Sequence, residues 1–165
     1  YVYEQGIMAG TDNRVFEPNA NLNRAQAVQI LYNLESQPEV TASADYTDTA
    51  GHWAINAINW ASENGIVSGV GNNRFDPNSP VSREQFAVMM YNYAQYKGYD
   101  LSAQADLTTF PDNGKVSSWA LRALQWANGE GLINGSNGSL LPGGTATRGQ
   151  AASILRKFDQ NIVGD

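Results

Sequence analysis

Arg24, Arg83 and Arg148 stand in one setting that occurs three times along the 165-residue chain. Each follows a short polar residue (Asn23, Ser82, Thr147) and is followed two positions on by a glutamine (Gln26, Gln85, Gln150), after which an apolar stripe begins. The polar residue and the glutamine spell a helix start. The short side chain accepts from the first free N–H groups, and the glutamine reaches back to the cap. The arginine has no part in that exchange. A cation at the first helical position meets the positive end of the helix dipole, where an acid would be favoured by about 0.3–1 kcal/mol. A guanidinium beside free N–H groups suits a carboxylate or a phosphate, gripped bidentately. The competing explanation is an arginine that lies over apolar neighbours or pairs with a nearby aspartate.

Other chemistries find little support. The single histidine, His52, sits beside Trp53 with no Ser or Cys nucleophile in a recognisable setting, and reads as a surface or helix-start residue. No pair of carboxylates recurs at a spacing suited to acid–base work. Gly69-Val70-Gly71-Asn72 lacks the lysine of a phosphate-binding loop. Thr11-Asp12-Asn13 and Asn72-Asn73 fall short of a calcium loop. The chain has no cysteine, which excludes thiol chemistry, disulfides and cysteine-based zinc sites. The sequence therefore predicts no enzyme, no catalytic residue, no metal site and no cofactor. A net charge of −6 with only ten Lys and Arg residues argues against nucleic-acid binding. No apolar run approaches the length of a membrane span.

The elements that must carry the arginines are also repeated. Trp53 to Ala61 matches Trp119 to Ala127, and the spacing of Trp53, Ala57, Trp60 and Ala61 predicts an amphipathic helix with one aromatic-rich face. Gly65 and Gly131 follow as left-handed C-caps, with Ile66 and Leu132 as the accompanying apolar contact. Short connectors come next: Gly6 to Gly10, Gly65 to Gly69 and Gly131 to Gly135, each leading through a small extended segment and a turn into the arginine helix. The stripes of the arginine helices (Ala27, Ile30, Leu31, Leu34; Phe86, Met89, Met90, Tyr93; Ala151, Ile154, Leu155, Phe158) bury against one another. Each such residue contributes about 1.5–3 kcal/mol, and no unit has enough apolar surface alone, so the units must stack.

The units span 1–36, 46–97 and 110–160, joined by polar linkers containing Pro38 and Gly98. Tyr1 to Gln5 aligns with Trp60 to Asn64, so the first unit is incomplete. The chain is expected to be a piece of something longer, with that edge frayed or completed by a neighbouring molecule. Asp48 and Asp112, in the lead-ins Tyr46-Thr47-Asp48 and Phe110-Pro111-Asp112, either cap the tryptophan helix or the turn before it, or help hold a ligand. Trp53 and Trp119 either pack in the core or offer flat faces to a sugar ring or methyl group. Gly10, Gly69 and Gly135 would allow a ligand close to the backbone.

Taken in order, Asp48, Trp53-Ala54 with Ala57-Ile58, Gly65-Ile66-Val67 with Gly69, Phe75 with Pro77-Asn78, and the Ser82-Arg83 helix start resemble the S-layer homology (SLH) repeat. The likeness covers nearly the whole chain. It implies an all-α, pseudo-threefold fold with a central three-helix bundle of arginine helices and outlying tryptophan helices. It also implies non-covalent anchoring of an exported protein at the bacterial cell surface, by binding a secondary cell-wall polysaccharide, commonly pyruvylated. By the same resemblance, Arg24, Arg83 and Arg148 would grip the pyruvate carboxylate in grooves between units. Trp53 and Trp119 would pack on the ketal methyl or sugar, and Gly10, Gly69 and Gly135 match the connector glycine. Gln26, Gln85 and Gln150 replace the family's glutamate, which keeps the cap but removes charge near the anion. Arg24 with Trp53, and Arg83 with Trp119, are the two sites expected intact. The alternative is a structural, self-assembly or protein-interaction module without glycan binding, in which the arginines are paired internally and the tryptophans buried.

Overall fold

The computed structural model describes residues 19–163; the first connector with Gly10, and the incomplete first helix, lie outside them. The described part is all-α. Helices α1 (Arg24–Leu34), α3 (Arg83–Lys97) and α5 (Arg148–Phe158) carry the arginines, and α2 (Ile55–Glu63) and α4 (Leu121–Gly129) lie between them. Short 3-10 turns at Asn113–Lys115 and Ser118–Ala120 precede α4, and a π-turn at Asp159–Val163 extends α5. Among the described residues β-pairing is limited to isolated bridges.

All three arginine helices begin with a complete capping box. Asn23 Oδ1 accepts from the Gln26 N–H at 2.8 Å, and the Asn23 N–H donates to Gln26 Oε1 at 2.9 Å. Ser82 with Gln85, and Thr147 with Gln150, repeat the exchange. The glycine caps of α2 and α4 also form, with φ of 72° at Gly65 and 76° at Gly131. The Ile66 N–H then reaches Ala61 O at 2.9 Å, and the Leu132 N–H reaches Ala127 O at 2.8 Å. That closes each helix and buries Ile66 and Leu132.

The helix starts are stitched together by backbone. Leu22 N–H donates to Ala146 O, Ala146 N–H to Val81 O, and Val81 N–H to Leu22 O, each at 2.9 Å. The three residues are fully buried, so water cannot replace these partners. Two residues further along each strand of chain a second circuit runs round the units in the opposite sense. The N–H of Arg24 donates to Ser79 O, that of Arg83 to Gly144 O, and that of Arg148 to Ala20 O. Every arginine helix therefore starts against the loop of the next unit round.

At their far ends the same helices diverge around a cavity of about 230 Å³ lined by Leu34, Tyr93 and Phe158 among others. Side chains bridge it. The Tyr93 hydroxyl donates to Glu35 at 2.5 Å, Lys97 Nζ lies 3.0 Å from the same carboxylate, and the Tyr93 and Phe158 rings are 5.9 Å apart. The intervening helices pack outside, α2 on α1 and α4 on α3, so each covers the arginine helix of the preceding unit. Trp60 meets Tyr32 and Trp126 meets Tyr91, both at 5.5 Å between ring centres, in equivalent positions.

The predicted single aromatic face does not form. Trp53 and Trp119 lie before α2 and α4, in turns that point them outward, and are 63% and 59% exposed. A turn over His52–Ile55, closed by the Ile55 N–H on His52 O and the Ala54 N–H on His52 Nδ1, delays the start of α2. Trp60 and Trp126, inside the helices, form the core instead. Trp60→Ala and Trp126→Ala are expected to cost about 3–5 kcal/mol each. Trp53→Ala and Trp119→Ala should change stability by no more than about 0.5 kcal/mol. Urea unfolding midpoints of the four variants measure the contrast.

Candidate functional site

The three arginines, alike in sequence, have different surroundings. Arg24 is 7% exposed, donates from Nε to Phe75 O and from Nη2 to Ser68 O at 2.8 Å each, and lies 4.5 Å over the Phe75 ring. Burial lowers its pKa, partly offset by Tyr46, Asp76 and Asp48. The expected ligand-seeking guanidinium is thus committed at this position, to backbone carbonyls of the second connector rather than to a carboxylate. Arg148 is equally buried, at 5% exposed, and is also engaged.

Arg83 differs. It is partly exposed, and its guanidinium has no hydrogen bond or ion pair among the described residues. It lines a groove of about 220 Å³ between the start of α3, the third connector and α5. Ile154 and the edge of Ile133 supply apolar surface there; Asn134, Gly135, Gln150 and Lys157 supply polar groups, and no carboxylate lines the groove. The structure therefore brings Arg83 and Gly135 to one cleft, whereas Trp119 is not among its lining residues.

The glycines and aspartates serve the scaffold of the site. A Cβ on Gly69 would meet the Tyr46 ring at 2.7 Å and Arg74 O at 2.8 Å; on Gly135 it would meet Ser139 O at 2.8 Å and the Phe110 ring at 3.1 Å. What approaches these glycines is the aromatic residue of each lead-in, with the connector's own backbone, where a ligand was expected. Asp48 accepts from the N–H groups of Phe75 and Asp76 at 2.9 Å each. Asp112 accepts from those of Leu140 and Leu141 at 2.9 and 2.8 Å. Neither caps the tryptophan helix or the turn before it. Each holds a later turn, in which Asp76 and Leu141 take φ of 56° and 51°. Side chains rarely adopt that conformation unless the surroundings impose it. Gln26 and Gln85 spend their carbonyl oxygens on the capping boxes.

Glu84 was not singled out in the sequence. It is 6% exposed, and its carboxylate accepts from the Ser117 N–H at 2.9 Å and the Ser117 hydroxyl at 2.6 Å. It thereby ties the segment carrying Trp119 to the first turn of α3, one residue from Arg83. Its only sequence signal was an acid in the first turn of a helix, which the dipole alone explains. Ala25 and Gly149 occupy the place in the other units, so the tie exists once. His52 takes a surface turn role: Nδ1 accepts from the Ala54 N–H at 3.0 Å, leaving Nε2 to donate to Asn78 Oδ1 at 3.2 Å. No cluster of three or more metal-type side chains occurs among the described residues.

Comparison with known proteins places these features in a wider set. The sequence model of the S-layer homology domain matches residues 1–28, 45–87 and 109–152. An amylopullulanase of Thermoanaerobacterium thermosulfurigenes is 34% identical over 155 residues, which cover 90% of this chain and 8% of that protein. The surface-layer 125 kDa protein of Lysinibacillus sphaericus is 31% identical, over 96% of this chain and 13% of that protein. The S-layer protein sap of Bacillus anthracis is 26% identical, over 98% of this chain and 20% of that protein. The chain thus spans a small part of each of these relatives.

Because hydrogen bonds to charged groups contribute about 1.5–3 kcal/mol each, Arg24→Ala should destabilise the fold by at least that much. Arg83→Ala should leave stability within about 0.5 kcal/mol of the parent. Thermal melts followed by circular dichroism test the split. Asp48 gives a pH signature. Partial burial raises its carboxyl pKa, but the N–H groups of Phe75 and Asp76, together with Arg74, outweigh this and hold it below the ordinary value. A depressed folded-state pKa stabilises above the unfolded value of about 3.9, and that stabilisation is lost as pH falls through the folded value. Melting temperature should therefore drop as pH falls below about 4, and Asp48→Asn should flatten that part of the curve.

Proposed function

The chain belongs to the S-layer homology family, and from that premise we propose that it anchors the protein bearing it to the outside of a bacterial cell, holding an acidic cell-wall polysaccharide in the groove beside Arg83. The family carries the coarse statement, envelope anchoring, since its model matches three stretches along the chain and relatives include S-layer and surface-layer proteins. The finer statement rests on one observation: Arg83 meets an open groove with no acid lining it.

The mechanism is electrostatic and needs no chemistry from the protein. A carboxylate such as that of a pyruvate ketal enters the groove and meets the guanidinium fork, which pairs with both its oxygens. The start of α3 lies beside it, so the helix dipole favours the same charge. Ile154, part-exposed, with the edge of Ile133, offers apolar surface to a methyl group or sugar face. Exposed Trp119, held near α3 through Ser117 and Glu84, would extend the contact along the glycan. The first expected pair, Arg24 with Trp53, is set aside as a carboxylate site because the Arg24 guanidinium already serves two carbonyls. The competing function, a structural or self-assembly module, draws support from Arg24 and Arg148, buried and engaged as that view requires. It leaves Arg83 and the two exposed tryptophans without a role.

Purified cell-wall sacculi should retain the chain, and sacculi chemically stripped of their polysaccharide should not. Arg83→Ala should weaken retention by about ten- to a hundredfold, the equivalent of losing one charged contact. Raising salt from about 50 to about 200 mM should weaken it further. Undiminished retention on stripped sacculi would refute the glycan as the ligand.

A further inference from the structure

The groove beside Arg83 holds a second cation that the resemblance did not assign. Gln150, Ser153, Ile154 and Lys157, spaced three and four residues apart on one face of α5, line it together with Arg83. Lys157 is partly buried and has no ion pair among the described residues. The whole chain carries a net charge of −6, yet this lining has two cations and no acid.

Position in the repeat makes the lysine stand out further. Counting from the capped arginines, Lys157 corresponds to Asn92 in α3 and Asn33 in α1. The Asn92 side chain donates to Ile66 O at 3.1 Å and so fastens α3 to the connector of its own unit. In the third unit a charged, longer side chain takes that place and lines the open groove.

The Arg83 N–H donates to Gly144 O at 2.9 Å, which sets the start of α3 beside the start of α5. Lys157 lies seven residues beyond Gln150, which is about 10 Å along the helix. The two cations therefore reach the groove from different elements, α3 and α5.

We propose that Lys157 makes this groove select saccharides bearing two acidic groups, one taken by Arg83 and the other by Lys157. This rests on the assignment of Arg83 as the carboxylate contact. An ammonium is a point charge without a planar fork, so the second acid is a uronate or a phosphate monoester equally well in geometry. The shared requirement is negative charge at the α5 end.

Three synthetic disaccharides test this by calorimetry on the full chain. All carry a pyruvate ketal on the first sugar; the second sugar is neutral, a uronic acid or a phosphate monoester. The parent should bind at least one doubly acidic probe about tenfold tighter than the neutral one, and the stronger of the two names the source. Lys157→Asn, the residue found in the other two units, should bind all three probes alike, losing the preference, while Lys157→Arg keeps it. Equal affinity of the parent for all three probes, or a uniform loss in Lys157→Asn, would overturn the proposal. Arg83→Ala separates the two levels. If it leaves the neutral probe's affinity unchanged, the carboxylate assignment fails as well; if it abolishes binding while Lys157→Asn has no effect, only the role of Lys157 is lost. Absence of binding by any probe to the parent would overturn both.

Discussion

Three backbone hydrogen bonds running head to tail among Leu22, Val81 and Ala146 are the constraint on which the rest of the structure depends. Each residue gives its N–H to one neighbour and its carbonyl to the other, in a place water does not reach. No one unit can satisfy its own groups there, because both partners belong to other units. The capping boxes just beyond fix the direction of each helix, and the circuit fixes where the helices sit relative to one another. The arginines follow from that placement. Standing at the first helical position, Arg24 reaches the second connector and is covered by it, while Arg83 borders the third beside an open groove.

The third connector is where the threefold relation fails usefully. It is shorter and ends in Leu140-Leu141-Pro142-Gly143, where the second unit has Phe75-Asp76-Pro77-Asn78. Phe75 supplies both the ring under Arg24 and the carbonyl that binds its Nε. In the place of Phe75 the third connector has Leu140, and among the described residues no ring lies under the Arg83 guanidinium. An arginine that is structural in one unit borders a groove in another.

How much was legible in the sequence depends on range. The capping boxes and the glycine-terminated helices rest on partners within five residues, and both form as the residues indicate. The interlocking of units was visible as repetition, because faces too small to bury alone must find one another. The hidden part required knowing neighbours in space. Trp53 and Trp60 share a helical spacing, yet a turn centred on His52 puts one outside and one inside. Asp48 reads as a cap for the nearby tryptophan helix, but its partners lie 27 and 28 residues on. Arg24 and Arg83 share the same capping frame, and Phe75, which covers Arg24, lies 51 residues away in sequence.

The packing of α2 on α1 and of α4 on α3 has a temporal side. As the chain leaves a ribosome or an export channel, α1 waits for residues beyond 55 to cover it, and the circuit stays open until Ala146 arrives. Contacts of such long sequence separation are slow to form and reward the chain only when nearly all are made. Partly emerged chains therefore have little to hold them in shape, and the module acquires its rigidity in one late step.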